Sequence, residues 1–195
     1  MIIQKKTELL APAGNFTGFL AVIKAGADAV YFSGKKYGAR AYADNFNDEE
    51  LLELIKVAHL FKRKTYLTVN TLIKEYEISD LEEYLSPLVD AGLDGVIMQD
   101  VGAIFLVHSL FPDLAIHIST QMSITTRESA LLLKRMGIER IVPARELSLA
   151  EIKLIKETGM EVECFIHGAM CYCYSGYCLF SSIVGQRSGN RGRCA

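Results

Sequence analysis

One short phrase recurs along this chain of 195 residues and limits what it can fold into. A glycine, one further residue, an acid and then an apolar run appear at Gly26-Ala27-Asp28-Ala29-Val30 and Gly92-Leu93-Asp94-Gly95-Val96. The phrase returns at Gly137-Ile138-Glu139-Arg140-Ile141 and Gly159-Met160-Glu161-Val162. Glycine reaches the left-handed conformation that ends a helix without a Cβ penalty, so each phrase reads as a helix stop followed by a strand. The glycines lie 66, 45 and 22 residues apart, close to three, two and one multiples of 22. A unit of that length holds one strand, one helix and short loops.

Seven strands are expected, near residues 9–11, 29–33, 65–70, 95–99, 115–119, 140–143 and 162–166. Between them Asn47-Asp48-Glu49-Glu50, Ser79-Asp80-Leu81-Glu82 and Ser148-Leu149-Ala150-Glu151 have the form of helix starts. Strictly alternating strands and helices argue for parallel pairing with right-handed crossovers. The fold class expected is therefore α/β, a (β/α) barrel of the TIM type with about seven parallel strands. No G-x-G-x-x-G follows a strand, which argues against an open dinucleotide-binding sheet. A complete barrel needs ~250 residues, and the 27 residues after Gly168 contain no eighth strand. The barrel is thus expected to be incomplete. Residues 1–168 would form its seven units, and residues 169–195 a Cys/Gly/Arg-rich segment at its mouth that continues in a longer native chain.

Composition narrows the class further. Half of the residues are hydrophobic, 23% are charged and the net charge is −2, which excludes a disordered chain and a globally basic nucleic-acid binder. No run approaches the ~20 apolar residues of a membrane span. The charged N-terminus lacks a secretory apolar stretch, so the expected location is cytoplasmic.

Side chains alternate along a strand. That alternation turns Tyr31, Tyr66, Asn70, His117, Arg145, Glu163, Phe165 and His167 toward the barrel interior, and leaves open which of Gln99 and Asp100 joins them. A purely structural barrel interior is dominated by branched aliphatics. Polar groups buried there need partners or a ligand. Glu163, His167, Asn70 and Arg145 are accordingly the candidate catalytic groups, with Tyr31, Tyr66 and His117 holding substrate.

All five cysteines fall between Cys164 and Cys194. An odd, clustered count does not suit a secreted disulfide framework and points to a metal or redox site. The spacing matches neither a zinc ribbon nor a ferredoxin. Several thiolates at a barrel mouth nevertheless suit a soft metal, with Cys171, Cys178 and Cys194 as ligands. Cys164, within the seventh strand, reads as a small buried hydrophobe. Two common hydrolase devices, G-x-S-x-G and H-E-x-x-H, are absent. A Cys–His pair of Cys171 or Cys173 with His167 remains open. Arg187 and Arg191 are placed to contact phosphates or another anion.

The stretch Glu163-Cys164-Phe165-Ile166-His167-Gly168-Ala169-Met170-Cys171, followed by Gly176-Tyr177-Cys178 and Ser181, resembles the signature of peptidase family U32. Phe180 departs from it, standing where the family usually has an aliphatic residue. Glu8-Leu9-Leu10-Ala11-Pro12-Ala13-Gly14-Asn15, Ser119-Thr120-Gln121-Met122 and Arg145-Glu146-Leu147-Ser148 resemble the same family. The resemblance adds Gln121 to the substrate-binding candidates. It implies a [4Fe–4S] cluster on four cysteines, with Cys171, Cys178 and Cys194 as three ligands and the fourth beyond Ala195. Zinc would be an opportunistic substitute in so short a chain. The leading activity it implies is oxygen-independent hydroxylation, for example of an RNA base. Collagenase-like proteolysis of unassigned or metal-assisted mechanism is the second reading, and a non-catalytic RNA-binding or scaffold protein the third. The partner is then an RNA or a protein substrate.

Overall fold

The computed structural model describes residues 7–194. Seven parallel strands form one sheet in strict chain order: β1 (Leu10–Ala13), β2 (Ala29–Phe32), β3 (Lys64–Val69), β4 (Gly95–Met98), β5 (Ala115–Ile118), β6 (Arg140–Ile141) and β7 (Glu161–Val162). The intervening helices are α1 (Phe16–Lys24), α2 (Asp48–Leu60), α3 (Glu75–Ile78), α4 (Asp80–Asp90), α5 (Val101–Leu110), α6 (Arg127–Arg135) and α7 (Leu149–Lys156). A short α8 (Phe180–Gly185) follows β7. The sheet curls as a barrel does but stays open, with β1 and β7 as its two edges.

The repeated phrase accounts for this regularity. Gly26, Gly92, Gly137 and Gly159 all have positive φ, between 81° and 100°, and each follows the C-terminus of a helix. The acids of the first two phrases reach back to an earlier segment. Asp28 Oδ2 accepts the Leu9 N–H at 3.0 Å. Asp94 Oδ2 accepts the backbone N–H and hydroxyl of Thr65 at 2.9 and 3.0 Å. Each acid thus satisfies a backbone donor of the strand laid down before it.

Helix starts follow the expected chemistry at Asn47 and Ser148, where both halves of the capping box form. Ser79 does not cap. It already has helical backbone angles between α3 and α4, and one turn earlier only half of a box forms, with Glu77 Oε2 accepting the Lys74 N–H at 2.9 Å. The main core lies between sheet and helices, where Phe19, Phe32, Leu54, Leu67, Leu85, Met98 and Ile118 are all buried. Inside the sheet the apolar cluster is small: Ala29, Tyr66 and Ile97, with Leu10 and Tyr31 against them. Among the described residues no helix is long and apolar enough to cross a membrane.

The seventh strand is shorter than expected. Pairing in β7 stops at Val162, apart from the Glu163 N–H, which still reaches Ile141 O at 3.0 Å. Phe165 and His167 consequently lie on an exposed loop and not inside the barrel, and Cys164 is exposed as well.

Candidate functional site

Polar groups occupy the concave side of the sheet. They centre on Arg140, whose side chain is 9% exposed. Its Nη1 lies 2.7 Å from Glu8 Oε1, and its Nη2 and Nε lie 2.9 and 3.2 Å from Glu161 Oε2. The guanidinium also stands over the Tyr66 ring, 5.2 Å from its centroid. Tyr66 donates to the Glu8 carboxylate at 3.2 Å and meets the His117 ring edge-on, with centroids 4.5 Å apart. Neither Arg140 nor the two acids were among the sequence candidates. Their signal was available: after the phrase acid the earlier units carry Ala29 and Gly95, whereas the third carries an arginine. In the fourth unit the register pairs Arg140 with Glu161, so the acid itself lies beside it.

Glu163, His117 and Tyr31 adjoin this group, His117 beside Arg140 and Tyr31 beside Tyr66 in the strand register. Glu163 Oε2 is buried, lacks a hydrogen-bond partner and lies 3.6 Å from Arg140 Nη1. Burial pushes its carboxyl pKa up, against the pull of Arg140. Burial also pushes His117 down to about 3, reinforced by Arg140, so the ring is neutral. Its Nδ1 has no partner. Burial raises the phenol pKa of Tyr31. The sequence thus brought Tyr31, Tyr66, His117 and Glu163 together correctly.

Other candidates serve the loops at the mouth. Asn70 Oδ1 accepts the Ala39 N–H at 2.9 Å, and its carbonyl accepts from Gln99 Nε2 at 2.7 Å. Asp100 caps α5 through Ala103 and holds the Ile73 N–H. Of the two residues that alternation left open, Gln99 is therefore the one bonded across to the end of β3. Arg191 donates to Leu72 O at 2.7 Å and forms a two-pronged pair with Glu77, which pins the tail across the mouth and occupies that guanidinium. Gly192 presses against the β2–α2 loop, where a Cβ would lie 2.6 Å from Gly38 O. Arg187 is exposed.

Ser175, missed in the sequence, organises the segment after β7. It is 1% exposed. Its Oγ accepts from Arg145 Nε at 3.1 Å, its N–H donates to Glu146 Oε1 at 2.6 Å, and its carbonyl accepts from Ser123 Oγ. Arg145 also donates to Cys173 O at 3.2 Å. The Cys171 thiol pKa is lowered by the Cys173 backbone N–H, with a further contribution from Arg145. Gln121, whose Oε1 is buried without a partner, has its carbonyl directly against Gly176. Tyr172, Tyr174, Tyr177 and Phe180, with Cys173 and Cys178, line an open cavity of about 510 Å³.

The metal centre expected at Cys171, Cys178 and Cys194 does not form. Among the described residues no group of three or more His, Cys, Asp or Glu side chains converges closely enough to hold a metal ion. Cys173 has Cys178 as its nearest thiol, with Cys171 and Cys194 also within electrostatic range; Cys171 is engaged by the Cys173 backbone and by Arg145, and the Ser181 hydroxyl lies 4.0 Å from the Cys194 thiol. The donor set fits neither a [4Fe–4S] cluster nor zinc, so the hydroxylation reading that rested on the cluster is withdrawn. Iron or zinc needs several thiolates aimed at one point, and no three ligand side chains converge in that way among the described residues.

The family model for peptidase family U32 matches residues 14–195. The tRNA hydroxylation protein P1 of Bacillus subtilis (strain 168) is 41% identical over 194 residues, covering 99% of this chain and 46% of that protein. A collagenase of Porphyromonas gingivalis (strain ATCC BAA-308 / W83) is 33% identical over 201 residues, covering 96% of this chain and 48% of that protein. The chain thus spans just under half the length of these relatives. The solved structure of a U32 peptidase superposes with a TM-score of 0.69 at 18% identity, over 83% of this chain and 68% of that one, which supports the fold.

Proposed function

Because the chain belongs to peptidase family U32, we propose that it provides the barrel of a collagenase-like, cytoplasmic peptidase in which Cys171 is the nucleophile. The observation that carries this reading is the activated thiol. A backbone N–H and a guanidinium favour the Cys171 thiolate, at an exposed position on the mouth segment. The thiolate attacks the scissile carbonyl carbon, a thioester forms and the amine leaves with a proton; water then releases the acyl product. Glu163 is the acid–base group, since burial keeps its carboxyl able to hold a proton in a range where an ordinary glutamate is ionised. His167, four residues before Cys171 on the same exposed segment, is the imidazole this reading assigns to Cys171. Tyr31, Tyr66, His117 and Gln121 line the way for substrate. Asn70 and Arg145 keep the surrounding loops in place, with residues 1–168 as scaffold and 169–195 as the segment across the mouth.

Cleavage of a fluorogenic collagen-derived peptide tests this. A Cys171→Ala variant is expected to lose roughly 10³-fold or more in kcat/KM, and Glu163→Gln about 10²-fold. Undiminished cleavage by Cys171→Ala, in a preparation free of contaminating protease, rejects the nucleophile.

The name of the Bacillus subtilis relative favours a second reading, an RNA-binding component. Here the tyrosine-lined cavity offers rings on which bases stack, with the exposed Arg187 to meet phosphate. Salt-sensitive RNA binding without peptide turnover is its expected signature.

A further inference from the structure

Three carboxyl groups from separate parts of the chain converge on one guanidinium. Glu8 precedes β1, Glu161 opens β7 and Glu163 follows it, while Arg140 opens β6. Among the described residues β1 and β7 are the edges of the sheet. Arg140 is therefore a link between β6, the β7 edge and the segment entering β1, made where, among the described residues, β1 and β7 are not paired to one another. A lysine is a compact point charge, whereas a guanidinium presents its donors in a rigid fork suited to several acceptors at once.

The three contacts differ in kind. Glu8 and Glu161 accept hydrogen bonds at 2.7 and 2.9 Å. Glu163 Oε2, at 3.6 Å, is beyond hydrogen-bond range and has no other partner. Lys64 Nζ adds a second cation 3.9 Å from Glu8. His117 and Tyr31 complete the polar surroundings, and His117 is neutral.

We propose that Arg140 is the positioning residue of the barrel interior: it clamps the open seam through Glu8 and Glu161 and, by holding Glu163 only loosely, makes Glu163 the carboxyl that exchanges a proton with whatever enters the barrel. The catalytic consequence rests on the acid–base role given to Glu163 above; the clamp and the titration do not, and neither needs a substrate. Arg140 favours the charged form of Glu163 and Glu8 opposes it, so removing each has an effect of opposite sign.

The test is a ¹³C NMR titration of the protein carrying ¹³Cδ-labelled glutamate, with the Glu163 signal assigned by its loss in Glu163→Gln. In Arg140→Gln the Glu163 midpoint is expected to move up, and in Glu8→Gln to move down. A simple loss of packing does not produce opposite shifts. Two unchanged midpoints, or shifts of the same sign, overturn the proposal. Should Arg140→Gln fail to fold, Glu8→Gln decides alone: a lowered midpoint supports the clamp, and an unchanged or raised one rejects it. Hydrogen exchange gives a second reading, since amides around Leu9 and Glu163 should exchange faster in Glu8→Gln than in the parent. Unaltered protection there rejects the seam function.

Discussion

The first five βα units and the segment after β7 draw on similar apolar residues and use them in opposite ways. In the units, apolar side chains recur at strand and helix periods, and Phe19, Leu54, Leu67 and Met98 are wholly or almost wholly enclosed. After β7, Ile166, Met170, Tyr172 and Ile183 are 77–102% exposed. Periodicity is what lets neighbouring residues share one face of an element and bury it together. Among the described residues the later segment has one six-residue α-helix and one 3-10 turn, and it is held at a few points, chiefly Ser175, Arg191 and Gly192. Its thiols therefore sit on the less enclosed part of the molecule, displayed by a rigid scaffold, where functional groups are commonly found.

The sharpest way to break this contrast is to truncate one apolar side chain in each region. Leu54→Ala, in the enclosed core, should cost about 3 kcal/mol. Ile183→Ala, 77% exposed, should stay within about 0.5 kcal/mol. Urea denaturation of both variants reads the difference, and comparable losses would show that the later segment is packed after all.

A pH series sharpens the comparison within the barrel. His117 is neutral in the folded protein down to about pH 3, whereas in the unfolded chain it takes a proton near 6.5. Over that window the unfolded state binds more protons, so stability falls as pH falls. Glu163 acts in the other direction: its folded pKa is raised, so the folded state binds more protons above 4.5 and loses that advantage as pH rises through the folded value. His117→Asn should flatten the acid limb of a Tm-against-pH curve without altering the Glu163 contribution. An unchanged acid limb would show that the ring is not held neutral.

The smallest expected effect is at the tail. Arg191→Ala removes a partly exposed pair with Glu77 and should cost about 0.5 kcal/mol. Limited trypsin digestion should nevertheless cut faster at Arg187 and Arg193 while the barrel stays intact. Equal cutting rates would mean that Gly192 and Ser175 hold the segment without Arg191.

Much of the fold was legible because its signals are local. Gly26, Gly92, Gly137 and Gly159 each end a helix through their own backbone angles, and Asn47 and Ser148 cap within three residues of themselves. Alternation along β2, β3 and β5 correctly turned Tyr31, Tyr66 and His117 inward. It failed for Phe165 and His167, because alternation holds only as far as the strand does and β7 ends at Val162.

The sequence by itself determined the order of strands and helices, their parallel assembly into an open barrel and the polar character of its concave side. Tertiary structure alone decided which charges meet there and where the thiols point. Glu8 and Arg140 are 132 residues apart and touch only because the sheet curls. The cysteines are close in sequence, yet most of them lie outside the short helices of their segment, so no helix or strand period sets where their thiols point. Local periodicity fixes which face a residue takes; only closure of the chain over long separations fixes what it faces.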